Sequence, residues 1–150
     1  MRRSTMIVWL SGAMYVMAWF LPVVDGGTTL ATGGVPGWEA LRAALAPIWP
    51  YQDIQVPSGL EALLRVGSGL SNLLFISALI GLLVRPSPGA RIARWGLALA
   101  ALLNTQWFAM SGREDLRAGY YLWVGSFALL AVGAHLPSPM RPPDVREAGG

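Results

Sequence analysis

The sequence predicts an all-α protein, a bundle of four transmembrane helices with an amphipathic helix lying at its outer surface. Three observations predict it. Four stretches, Met6–Val24, Val66–Val84, Ile92–Met110 and Gly119–Leu136, each run 18 or 19 residues without an acidic side chain. At about 1.5 Å per helical residue each is roughly 27–29 Å long, close to the ~30 Å hydrocarbon core of a bilayer. The chain is 54% hydrophobic and only 13% charged, against about 25% charged in a soluble domain. Too little polar sequence remains to cover four such runs in water. One membrane domain is therefore expected over residues 1–136, with spans near 6–24, 60–84, 88–110 and 112–136.

The first span follows Arg2 and Arg3. A basic start and an apolar run can also mark a cleaved signal peptide, but here the apolar run continues through Trp19-Phe20-Leu21. Retention as a membrane anchor is the expectation.

An outer loop, residues 25–58, comes next. It holds Gly26-Gly27 and Gly33-Gly34, then Pro36–Trp49, where Trp38, Leu41, Leu45 and Ile48 recur at offsets of three and four. That spacing predicts an amphipathic helix, dipping into lipid or covering the bundle. Pro47 and Pro50 are expected to end it. The second span opens with Ser58-Gly59-Leu60-Glu61, a capping-box pattern, and Glu61 and Arg65 stand at i,i+4 as an ion pair at the outer mouth. Ser87-Pro88 suits the start of the third span, and Ser111-Gly112-Arg113-Glu114 repeats the capping box before the fourth. The tail, residues 137–150, carries Pro137, Pro139, Pro142 and Pro143 and no apolar period. It is expected to be disordered.

The basic residues set the orientation. All eleven are arginine. Arg2, Arg3, Arg85, Arg91, Arg94, Arg141 and Arg146 fall on one side; Arg42, Arg65, Arg113 and Arg117 fall on the other. The positive-inside rule then places both termini in the cytoplasm. Trp9 and Trp95 sit near the inner interface, and Trp19, Trp107, Tyr120, Tyr121 and Trp123 near the outer one, as an aromatic belt would. Scattered arginines at membrane edges do not form a nucleic-acid face.

Several chemistries are excluded by inventory. With no cysteine there is no disulfide, thiolate catalysis or thiolate metal site. The four apolar stretches hold no carboxylate for a proton relay. His135, the sole histidine, can serve at the interface or as one axial ligand to a heme or pigment, and nothing else in the chain calls for a cofactor. The polar residues with most interest are Asn72, Asn104 and Ser126, with Ser71, Thr105 and Gln106 nearby. Asn72 and Asn104 each lie six positions from the outer end of a span, roughly 9 Å deep. They form either an interhelical hydrogen-bond layer or a solute site reached from outside. If the two asparagines meet, their replacement energies should be non-additive. Gly67-x-x-x-Ser71, Ser77-x-x-x-Gly81 and Gly96-x-x-x-Ala100 allow close helix approach.

Residues Leu116–Leu130 (LRAGYYLWVGSFALL) resemble the last helix of small, uncharacterised four-span bacterial inner-membrane proteins. Pro36–Leu41 (PGWEAL), after a glycine-rich loop, is similar to their outer segment. The resemblance implies a four-helix membrane protein and transfers no activity, cofactor or functional residue. The glutamate of small multidrug transporters is missing, as are the cysteine pairs of membrane thiol oxidoreductases. The leading expectation is a non-enzymatic accessory or scaffold subunit that packs against another membrane protein or itself. The alternative is a small transport or ligand-binding protein using the outer polar layer.

Overall fold

Pro22 cannot donate a backbone hydrogen bond, and the first helix stops just before it. In the computed structural model, which describes residues 3–25, 33–50, 59–84, 90–110 and 115–136, α1 spans Arg3–Phe20, and Pro22–Val24 form the short strand β1. The expected first span through Val24 is therefore corrected by four residues. Strand β1 pairs antiparallel with β2, Val35–Pro36, in the register Pro22↔Pro36 and Val24↔Val35. This two-stranded sheet was not anticipated. Helix α2 follows directly, from Gly37 to Ala44. It is shorter than the apolar period of Pro36–Trp49 predicts, because turns take over through Ile48 ahead of Pro50.

Helix α3, Gly59–Val84, is the longest element at 26 residues. It is long and apolar enough to cross a membrane, at roughly 39 Å. The third run breaks in two. Helix α4 covers Ala90–Asn104 and α5 covers Trp107–Met110. At the break, Thr105 and Gln106 donate to the carbonyls three residues back. Asn104's own carbonyl accepts instead from the Tyr120 hydroxyl at 2.9 Å. A side chain that takes a helix carbonyl in this way interrupts the backbone ladder.

The fourth helix, α6, covers Ala118–His135, six residues later at its start than the expected 112. Residues 115–117 are committed elsewhere. Asp25 N–H donates to Asp115 O at 2.7 Å and Arg117 N–H to Val23 O at 3.0 Å, with a bridge between Val24 and Leu116. Arg117 and Asp25 close the same junction as an ion pair. Ser58, Ser87-Pro88, Ser111–Glu114 and the tail 137–150 lie outside the described residues.

The four long helices alternate in direction. Ser11 Oγ–H donates to Ser126 O at 2.8 Å across α1 and α6, while a Cβ on Gly133 would sit 3.0 Å from Ile7. Helix α4 lies against α3 and α6. The core is aromatic. Tyr15 stacks on Phe75 at 4.2 Å, and Phe75 meets Phe127 at 4.8 Å; Val8, Leu97 and Leu130 fill the space around them. Helix α2 covers one end of this bundle and does so by close contact. A Cβ on Gly37 would stand 2.4 Å from Ala18 O, and one on Gly69 would meet Leu45 at 2.7 Å. Of the two expected placements for the amphipathic helix, the covering one is what the bundle end shows.

Two of the small-residue motifs lie in helix contacts. Gly67 and Ser71 face α4, through Leu103 and Asn104, and Gly96 faces Leu74 of α3. Ser77 and Gly81 are exposed.

Candidate functional site: a polar layer beneath an apolar cavity

The last turns of α1, the first half of α3, α5 and the first turns of α6 meet under α2 and the sheet. Asn72 is the hub. Its Oδ1 accepts from the Tyr15 hydroxyl at 2.9 Å and from the Trp123 indole at 3.0 Å. Its amide nitrogen donates to Gly69 O at 2.9 Å and Ser68 O at 3.3 Å. One side chain thereby ties α1, α3 and α6 together, and both of its polar atoms are used. Unmet buried amides are costly in an apolar setting, so this pairing fixes how the three helices meet.

Asn104 joins the layer through a neighbour of Asn72. Its amide donates to Ser71 Oγ at 3.1 Å, and the Ser71 hydroxyl donates to Ser68 O at 2.6 Å. The two asparagines thus share one layer with Ser71 between them, and Asn104 bonds to Ser71 where the sequence pointed to Asn72. Gln106 reaches back to Leu64 O at 2.9 Å. Two acceptors are left over: Asn104 Oδ1 and Gln106 Oε1 are buried without a partner. Thr105, expected nearby, is exposed and bonds to Leu102 O.

Ser126 is fully buried but stands apart from the Asn72 group. Its hydroxyl donates to Trp123 O at 2.6 Å, and its carbonyl serves Ser11. Double-mutant cycles should register these partners. Coupling of about 0.5–1.5 kcal/mol is expected between Asn104 and Ser71 and between Asn72 and Tyr15, with near-additivity for Ser126 and Asn104. The reverse ranking, read by unfolding in detergent micelles, would contradict the layer as described.

Above this floor lies a cavity of about 290 Å³. Its walls are mostly apolar: Val23, Leu41 and Ala44, with the rings of Trp19, Trp107, Tyr120 and Trp123. No family model, curated protein or solved structure matches the chain. The cavity reaches the expected ion pair. Arg65 lines it, bonding to Glu61 at 2.6 Å with its guanidinium 5.6 Å from the Trp107 ring centre. Trp107 in turn donates to Ser68 Oγ at 3.2 Å.

Tyr15, Ser68, Trp107, Tyr120 and Trp123 were missed as site residues. Trp107, Tyr120 and Trp123 read in sequence as belt aromatics, yet their polar atoms point inward. Tyr15 had a usable signal, a hydroxyl among apolar neighbours at a depth similar to Asn72. His135 lies at the opposite end of the bundle. Its Nδ1 meets Ala131 O at 2.8 Å, and its ring stands edge-on to Trp95. Among the described residues, no three histidine, aspartate or glutamate side chains converge on a metal position.

Proposed function

We propose that this chain is a multi-pass bacterial inner-membrane protein with four spans and both termini in the cytoplasm. Its outward end binds a compact apolar molecule, without chemistry on it. Around an apolar core, small polar side chains are buried while many large apolar ones face outward. Ser11, Ser68, Ser71, Asn72, Asn104 and Ser126 are buried, while Leu60, Leu63, Leu73, Ile80, Trp95, Leu99 and Leu102 are exposed. Apolar surface on this scale marks contact with lipid or another apolar partner. The arginine bias adds the orientation, and α3 adds a helix of membrane length.

The cavity is the observation that carries the binding role. Small-molecule sites are concave, apolar and supplied with a few fixed polar groups. At about 290 Å³ the space is nearly twice the ~150 Å³ cavity that takes up benzene, so one or two fused rings fit. The Asp25 carboxylate in the cavity wall is held by Arg117, which favours binding over catalysis.

Naphthalene tests this directly. A ligand that binds only the native state raises the unfolding midpoint with its concentration. In lipid nanodiscs the midpoint should rise with naphthalene, and Ala44→Leu, which fills the cavity from a buried wall position, should abolish the rise. A flat response in the unaltered protein would defeat the binding role.

The accessory-subunit reading has its own support. Helix α3 exposes Leu70, Leu73, Ser77, Ile80, Gly81 and Val84, a surface that suits lipid or a neighbouring helix. Co-purification in mild detergent with mass spectrometry separates the two: a stoichiometric partner or homo-oligomer held on this face favours it, and a monomer counts against it.

A further inference from the structure

Of the polar groups in the cavity wall, most are already spent. Asn72 is fully bonded, Asp25 holds Arg117, and Ser68 Oγ accepts from Trp107. Arg65 differs. Its Nη2 bonds Glu61 at 2.6 Å, while its Nε is buried with no partner. A guanidinium offers five donors and no acceptor, so the ligand atom that completes it must be an acceptor. Nε lies beneath neighbouring atoms, so the side chain must turn toward the cavity to make that bond.

Charge narrows the class further. Glu61 already balances Arg65, and the Asp25 carboxylate lines the same space. A second carboxylate brought in would face like charge in an apolar wall, which is costly. The four aromatic rings and the volume suit a flat body of one or two rings. We propose, resting on the binding role above, that the ligand is an uncharged planar carbonyl compound of the quinone type. Its carbonyl oxygen accepts from the Arg65 guanidinium. The chain has no cysteine, so quinone probes meet no thiol.

Three probes of similar size decide it: naphthalene, 1,4-naphthoquinone and 1-naphthoate, each titrated against the thermal unfolding of the full chain in nanodiscs. Naphthoquinone is expected to bind about tenfold tighter than naphthalene, the value of one hydrogen bond to a charged donor. Naphthoate should bind no tighter than naphthalene. Arg65→Met should remove the carbonyl preference, so that naphthoquinone binds no tighter than naphthalene in that variant, and Glu61→Gln should improve naphthoate binding. Equal affinity for naphthalene and naphthoquinone, a preference that survives Arg65→Met, or naphthoate as the tightest ligand would overturn the carbonyl assignment and leave the binding role intact. No response to naphthalene would remove the binding role, and the carbonyl assignment with it. The probe ranking in the unaltered protein decides the matter even where Arg65→Met does not fold.

Discussion

Asn72→Leu is expected to destabilise the bundle by about 1–3 kcal/mol, the cost of leaving buried donors unpaired. Leucine fills the volume but strands the Tyr15 hydroxyl and the Trp123 indole, which both bond to Asn72 Oδ1. Hydrogen bonds between membrane helices average about 0.6 kcal/mol and rarely exceed about 1.7, and two are lost here at once. Tyr15→Phe is the graded control. It removes one donor and leaves Asn72 Oδ1 served by Trp123, so its cost should be the smaller. Unfolding in micelles followed by circular dichroism reads both. A neutral Asn72→Leu, or one milder than Tyr15→Phe, would show that the layer does not hold the helices together.

The second large effect is steric. Gly119 lies in the first turn of α6 where the chain from α1 crosses it, and an added Cβ would lie 2.7 Å from both Leu21 O and Pro22 O. Those are backbone atoms and cannot swing aside. Gly119→Ala should therefore cost about 1–3 kcal/mol, as overpacking does, despite the better helix propensity of alanine. Gly81 is the contrast, since a Cβ there meets nothing within 4 Å. Gly81→Ala should stabilise α3 by up to about 1 kcal/mol. A neutral or stabilising Gly119→Ala would show that the close crossing at Gly119 is wrong.

How much of this was legible in the sequence depends on what decides each feature. Apolar run length placed α1, α3, α4 and α6, and the Glu61–Arg65 pair followed from helix geometry alone. The element ends that shifted were decided by long-range pairing. Residues 115–117 are extended because Asp25 and Val23 take their backbone groups, a contact spanning some ninety positions that no local pattern reveals. The break after Asn104 depends on Tyr120, sixteen residues on. Asn72 and Asn104 stood out as amides among apolar neighbours. Trp107 and Trp123 did not, because an indole serves equally well at a lipid interface or as an inward donor. The cavity was invisible in advance, for it exists only where α2 and the sheet roof over parts of four other helices.

The embedding and its direction are open to one decisive measurement, made simple by the absence of native cysteine. Gly33 is exposed at the α2 end, with nothing within 4 Å of an added Cβ; Ser87 lies in the connection between α3 and α4. In intact spheroplasts, a membrane-impermeant maleimide should label Gly33→Cys, and should label Ser87→Cys only after the membrane is opened. Both variants should sediment with the membrane fraction. Labelling of Ser87→Cys but not Gly33→Cys in intact spheroplasts, or recovery of the chain in the soluble fraction, would contradict an outward-facing cavity in a four-span bundle.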